Sequence, residues 1–69
     1  MPKGNQMQPH QQRVVDEKAE LDDKITKLTT FINGDICKTL EHRDQELLSN
    51  QLGHMRSYSE TLSQRIERF

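Results

Sequence analysis

The sequence predicts an all-α fold, an antiparallel two-helix coiled-coil hairpin that self-associates into a helical bundle. Two stretches carry apolar residues at alternating spacings of four and three, which is the pattern of a coiled-coil seam. The first stretch extends from Val14 to Ile32 and the second from Leu48 to Phe69, with an Asn-Gly pair between them. Because so narrow an apolar stripe has to pack against another helix, a hairpin is the simplest arrangement.

The first predicted helix covers about residues 9–32. Pro9 suits the first helical turn, where its missing N–H would have no partner in any case. Residues 1–8 are polar and show no period, which predicts a flexible lead. Asn33 and Gly34 are expected to end the helix, because both residue types readily adopt the left-handed conformation found at helix ends.

The whole hairpin is predicted to cover residues 9–69. A connecting segment follows its first helix. Residues 33–43 predict a loop that contains a helical turn, and residues 44–68 predict the second helix. Acidic residues from Asp44 to Glu46 lie at the start of that helix, where negative charge is favourable.

The two seams also predict a register. In an antiparallel hairpin, facing seam residues have numbers with a constant sum, and a sum of 80 brings every layer into register. The same register places Glu17 opposite Arg65 and Asp22 opposite Arg56, and both pairs have opposite charge. Exposed pairs contribute at most about 1 kcal/mol each, so they select the register and do not hold the fold. The layers are Val14–Ile66, Lys18–Leu62, Leu21–Ser59, Ile25–Met55, Leu28–Leu52 and Ile32–Leu48.

A homo-oligomer is expected because apolar residues flank the seam. Val15, Phe31, Leu47 and Tyr58 would widen the strip that an isolated hairpin leaves in water. Gly53 lies inside the second helix, where glycine costs roughly 1 kcal/mol relative to alanine. Either a neighbouring helix approaches closely there or the glycine is simply tolerated. The predicted interface is Val15, Phe31, Leu47 and Gly53, and the mixed seam residues leave the number of subunits open.

Composition excludes several classes of function. The chain has 69 residues, of which 30% are hydrophobic and 30% charged, so one small domain is expected. Its net charge of −1 gives no basic excess for nucleic acid or for an anionic membrane surface. No apolar run approaches the roughly 18 residues of a membrane span, and no secretory signal is recognisable, which predicts a location in the cytoplasm of the cell that makes the protein.

No motif for catalysis is present. His10, His42 and His54 lack the spacing of metal ligands, and Cys37 has no partner for a disulfide or for nucleophilic chemistry. There is no phosphate-binding glycine loop and no nucleophile elbow. We therefore expect no catalytic residue, no metal, no cofactor and no enzyme activity. A part-buried thiol in the loop is the expected state of Cys37, whose role stays open.

A polar stripe on the second helix is the one candidate binding site. Tyr58 offers an aromatic plate for a base, and nearby cations offer partners for phosphate. The alternative is an ordinary solvated helix flank, with Lys18 packing its stem while its amino group reaches water. The predicted ligand-binding residues are Tyr58, Arg65, His54, Gln51, Lys24 and Lys18.

The chain also resembles a family of small helical-hairpin proteins of tailed phages and prophages, related to a crAss-like phage protein. The resemblance covers roughly residues 10–69 and carries no known binding residues. In the first half it rests on residues 20–32, with the pattern ELxxKIxKLxxFI. In the second half it rests on Gln45, Leu48, Gln51, Leu52, Met55, Tyr58, Leu62, Arg65 and Ile66.

The resemblance implies a phage origin and two hypotheses about function. Small phage proteins often lie among accessory genes that act against host defence, and these include helical oligomers that sequester cyclic-nucleotide or ADP-ribose immune signals. The first hypothesis is therefore an oligomeric binding module that sequesters a small anionic, nucleotide-derived signal. The alternative is an interaction module that inhibits a host protein without a small ligand. A virion component is left open, although no feature favours it.

Overall fold

The computed structural model describes residues 7–69 and contains three helices. Helix α1 spans Pro9–Ile32, α2 spans Asp35–Lys38 and α3 spans His42–Glu67. The long helices α1 and α3 pack against each other as a hairpin, and the short α2 packs against α1 at the elbow. No strand occurs in residues 7–69. The predicted all-α hairpin is confirmed, whereas six of the eight residues of the predicted lead lie outside the described part of the chain.

Helix α1 starts and stops where the local sequence allows it. The backbone N–H of Gln8 donates to Oε1 of Gln11 at 2.9 Å, and Pro9 occupies the first turn. At the other end Asn33 N donates to Thr29 O at 3.1 Å, and Gly34 N donates to Phe31 O at 3.1 Å. These bonds satisfy carbonyl groups of the last turn that would otherwise lack partners.

The expected left-handed stop at Asn33 and Gly34 is wrong. Asn33 has φ −83° and Gly34 has φ −91°, and no described residue has a positive φ. The last turn tightens to a three-residue hydrogen bond, and Gly34 then continues with ψ 176° directly into α2. Because the chain enters the next helix in an extended conformation, it needs no left-handed residue.

Helix α3 begins two residues before the predicted start at residue 44. Glu41 is extended, and its carbonyl accepts the N–H of Gln45 at 3.1 Å, which closes the first turn of the helix. The side-chain amide of Gln45 also donates to Leu40 O at 2.8 Å. Asp44 lies in the first turn, where its charge is favourable.

The core follows the predicted seams. Leu62 is 1% exposed, and it forms the centre of the hairpin with Val14 and Leu21. Ile25, Met55 and Ile66 pack against this cluster. Every predicted seam residue except Phe69 is buried or half-buried. Since full burial of a leucine contributes about 1.5–3 kcal/mol, a core of this size gives a hairpin of modest stability.

One polar layer joins the two long helices. Ser59 Oγ donates to Asp22 Oδ1 at 2.5 Å, and Lys18 Nζ donates to Asp22 Oδ2 at 2.6 Å. Leu21, the residue before Asp22, is the predicted layer partner of Ser59. The hydrogen bond therefore agrees with the predicted register.

The two flanking ion pairs of that register do not form. All ion pairs among residues 7–69 lie within a single helical segment, so Glu17 does not bridge to Arg65, nor Asp22 to Arg56. Asp22 instead bonds to Lys18, one turn away on the same helix. The Lys18 and Asp22 side chains lie on adjacent turns of one helix, so they meet without a bridge between helices.

Candidate ligand-binding groove on the third helix

An open groove lies along the outer side of α3. Its volume is about 460 Å³, within the range of small-molecule sites. The lining residues recur every three or four positions, and this spacing places them on one side of a helix. They are Leu47, Asn50, Gln51, His54, Met55 and Tyr58.

The groove combines an aromatic ring, apolar side chains and polar edges. Tyr58 is 45% exposed and Leu47 is 47% exposed, while Met55 is half-buried beneath them. A tyrosine face stacks favourably on another planar ring, and the amide of Gln51 and the imidazole of His54 can exchange hydrogen bonds with ring nitrogens. A planar heteroaromatic ring therefore suits this surface chemically.

Cations lie beyond the groove rather than inside it. Arg65 follows Tyr58 by seven residues, which is about 10.5 Å along the helix axis. Lys24 is exposed on α1, and the register places it across from Tyr58. Neither residue forms an ion pair within the described part of the chain. Both are thus available to an anionic group on a ligand whose ring occupies the groove.

Lys18 belongs to a different part of the hairpin. Its amino group is paired with Asp22, and it lowers the pKa of that carboxyl by its hydrogen bond, with Ser59 as the second cause. Asp22 and Lys24 are two residues apart, which turns them about 160° from each other around α1. The register therefore places Lys24 on the flank of the seam that carries Tyr58, whereas the ion pair with Asp22 holds Lys18 in the polar layer.

The four predicted interface residues do not form one surface. Phe31 and Leu47 are exposed, whereas Val15 is half-buried. Val15 and Phe31 are about 160° apart around α1, and Leu47 and Gly53 about 120° apart around α3. A Cβ added at Gly53 would have no neighbour within 4 Å in this chain. A single partner helix cannot cover all four positions.

Sequence reasoning missed part of the groove. Asn50 and Met55 were not expected to line it, and Leu47 was assigned to an interface alone. The signal was available, because Leu47, Gln51, His54 and Tyr58 follow spacings of four, three and four along the helix. If the polar stripe and the neighbouring apolar residues of the second helix are treated as one surface, Leu47 is predicted to line the same site as Tyr58.

A second depression, of about 520 Å³, lies at the beginning of α3 and is polar. Its principal charges are already paired with each other: His42 Nε2 lies 3.2 Å from Glu46 Oε2, and Arg43 Nη1 lies 3.3 Å from Glu46 Oε1. No Phe, Tyr or Trp side chain lines it, and its one aromatic ring is the imidazole of His42, which faces Glu46. The groove at Tyr58 is therefore the better candidate for a planar ligand.

The described residues were also compared with the requirements of a metal site, a reactive thiol and a membrane span. Within residues 7–69 no three His, Cys, Asp or Glu side chains come together as ligands for a metal ion. Cys37 is free and 4% exposed in α2. None of the described helices has the length and apolar character needed to cross a membrane.

A comparison with protein families finds one that matches almost the whole hairpin. The family model, described as Sequestin, matches residues 8–68, which include all three helices. The chain belongs to the Sequestin family. This match covers nearly the same residues as the resemblance stated from the sequence, while a phage origin stays a prediction. Searches of curated proteins and of solved structures returned no match.

Proposed function

We propose that this Sequestin-family chain is a small phage-type accessory protein that binds and sequesters a nucleotide-derived immune signal in the host cell cytoplasm. The family description is compatible with sequestration and names no target. The observation that carries the proposal is the groove at Tyr58, which joins an exposed aromatic ring to hydrogen-bonding side chains. Such a surface suits a base, since stacking on an aromatic side chain contributes about 1–3 kcal/mol per base.

The anionic part of the ligand binds to cationic side chains that lie outside the groove. With the base on Tyr58, a phosphate group extends along α3 toward Arg65 or across the seam toward Lys24. An arginine guanidinium can bind phosphate through two parallel hydrogen bonds, which favours a charged ligand over a free base. The ligand class is therefore a phosphorylated nucleoside or a related cyclic nucleotide.

The proposed activity is binding without chemistry. A sequestering protein lowers the free concentration of its ligand by mass action, so it needs affinity and abundance rather than a reactive group. The groove residues can stack and exchange hydrogen bonds, and the proposal assigns no catalytic role to any of them. We propose in addition that the protein acts as a homo-oligomer, since Phe31, Leu47 and Tyr58 leave apolar surface in water.

The test is calorimetric titration of the purified protein with ADP-ribose and with cyclic di-AMP. One of these probes should bind, and Tyr58→Ala should weaken its binding by about 10- to 100-fold through loss of stacking. Tyr58→Phe should retain most of the affinity, because the ring remains. Circular dichroism should show the same helix content in both variants.

Two arginines on α3 provide a matched control. Arg65 and Arg56 are both exposed, but Arg65 follows the groove side and Arg56 lies on the other flank of the seam. Arg65→Ala should weaken binding of the phosphorylated probe, and Arg56→Ala should leave it unchanged. Equal effects of the two substitutions, or unchanged binding by Tyr58→Ala, would remove this groove as the site.

A second candidate function is inhibition of a host protein through a docking surface. The observation in its favour is Ile36, which is 67% exposed at the elbow, with Phe31 38% exposed at the adjoining end of α1. Large exposed apolar side chains often mark protein interfaces. Under this alternative, Ile36→Ser should abolish recovery of one stoichiometric partner from host lysate, and neither probe should shift the melting temperature.

A further inference from the structure

Seven exposed residues form a continuous stripe along α3, here called the α3 stripe. They follow spacings of three and four residues, so they lie above one another on one side of the helix. The stripe contains the groove at Tyr58 and extends beyond both of its ends. Its members are Asp44, Leu47, Gln51, His54, Tyr58, Thr61 and Arg65.

The groove in this stripe has only one wall. All six residues that line it belong to α3, and no side chain from α1 or α2 closes its outer side. A ring stacked on Tyr58 would therefore remain in water on its opposite face. Small-molecule sites normally bury 70–90% of the ligand surface, so the site as one chain presents it is half complete.

The α3 stripe also has opposite charges at its two ends. Asp44 lies at one end, close to Glu41, and Arg65 lies at the other end, close to Arg68. None of these four side chains forms an ion pair within residues 7–69. Between them lie the exposed apolar groups of Leu47 and Tyr58. Such a surface is complementary to itself when two copies run antiparallel, and it repels itself when they run parallel.

We propose that two copies of this chain pair through the α3 stripe, antiparallel about a two-fold axis, and that the second copy closes the groove at Tyr58. The axis passes between the levels of Gln51 and His54, so each Leu47 faces the partner's Tyr58 across the groove. Arg65 then lies within one helical turn of the position facing the partner's Asp44. The role of the closed groove in ligand binding rests on the proposed function.

This arrangement gives two equivalent sites per dimer. A planar ring lies between Tyr58 of one copy and the partner's Leu47, and His54 of the first copy and the partner's Gln51 border it, each about 6 Å away along its helix. The two sites are about 16 Å apart, because Leu47 and Tyr58 are separated by eleven residues of one helix. Gly53 lies about 120° from the centre of the stripe and takes no part in the pairing.

Disulfide trapping tests the pairing directly. Leu47→Cys with Tyr58→Cys, in a Cys37→Ser background, should yield a covalent dimer under mild oxidation. The two positions are about 16 Å apart within one chain, so they cannot form an internal disulfide. Glu46→Cys with Glu60→Cys is the matched control. The midpoint of this pair lies at nearly the same level of α3 as the midpoint of residues 47 and 58, but its side chains lie on another side of the helix. The control should remain monomeric on a non-reducing gel. Equal linking in both variants, or a parent protein that is monomeric at tens of micromolar in sedimentation velocity, would overturn the pairing.

Charge reversal tests the polarity of the stripe. Asp44→Arg should raise the dimer dissociation constant about tenfold or more in sedimentation velocity, since it places two arginines near each other at both ends of the interface. Adding Arg65→Glu should restore dimerisation. If the double variant dissociates as readily as the single one, the antiparallel alignment is wrong.

Native mass spectrometry with ADP-ribose and cyclic di-AMP separates this inference from the proposed function. A dimer that carries two probe molecules supports both. If the cysteine variant links at 47 and 58 but the parent dimer, which retains Tyr58, binds neither probe, the result supports the pairing and counts against the proposed function. A monomer at tens of micromolar that still binds a probe overturns the pairing and leaves the proposed function standing.

Discussion

The two flanks of the helix seam use polar residues in opposite ways. On one flank Lys18, Asp22 and Ser59 bond to one another across α1 and α3. On the other flank, along α3, Gln51, His54 and Tyr58 are exposed, and their one side-chain hydrogen bond within residues 7–69 is a long one of 3.9 Å from Gln51 Nε2 to Met55 Sδ. The difference separates polar groups whose hydrogen bonds are used within the fold from groups that remain available to a partner. It assigns stability to the first flank and binding to the second.

The largest expected effect comes from the core that both flanks share. Leu62→Ala removes the most buried side chain and should lower the free energy of unfolding by about 3 kcal/mol, through lost burial and a cavity. In a hairpin this small, the loss should unfold much of the protein at 25 °C. Urea denaturation followed by circular dichroism at one fixed protein concentration measures it. Leu62→Met, which conserves volume, is the control and should cost clearly less.

Substitution of Ser59 sharpens the comparison between the flanks. Ser59→Ala removes the hydrogen bond to Asp22 and should lower the melting temperature, without changing affinity for a ligand at Tyr58. Tyr58→Ala should lose ligand binding, and any loss of stability should depend on protein concentration, because Tyr58 faces the partner copy and not the core of its own hairpin. Thermal melts and titrations on the same samples give both quantities. The comparison between the flanks fails if Ser59→Ala weakens binding as much as Tyr58→Ala does.

Gly53 provides a smaller test on a third side of α3. An added Cβ meets no atom within 4 Å, so Gly53→Ala should stabilise the helix by about 0.5–1 kcal/mol. Because Gly53 lies off the α3 stripe, the variant should keep the oligomeric state of the parent protein. A rise in melting temperature together with a weaker dimer would show instead that a neighbouring helix approaches this glycine.

The smallest expected effect is a dependence on acid pH. The pKa of Asp22 is lowered from 3.8 by the hydrogen bond from Lys18 first and that from Ser59 second. A lowered folded-state pKa means that the stabilisation is complete above the unfolded value and is lost as pH falls through the folded value. The difference in melting temperature between the parent and Asp22→Asn should therefore shrink below about pH 3.8.

Asp23→Asn is the matched control for this titration. Asp23 pairs only with Lys27, 3.0 Å away on the same exposed face of α1. Its substitution should leave the acid limb of the stability curve unchanged. An acid limb that responds equally to both substitutions would show that general charge, and not the polar layer, causes it.

The sequence by itself indicated the hairpin, because the four-and-three spacing of apolar residues predicts two helices with matching seams and the short segment between them can return the chain. It also determined the register, since only one alignment pairs every layer, and the bond between Asp22 and Ser59 agrees with it. Tertiary structure decided what periodicity does not encode. Lys18 turned from a candidate phosphate ligand into the ion-pair partner of Asp22, because a carboxylate one turn away was nearer than the groove. Leu47 and Tyr58 line one groove because both are exposed on the same side of α3. Residue spacing alone does not give the exposure of a side chain.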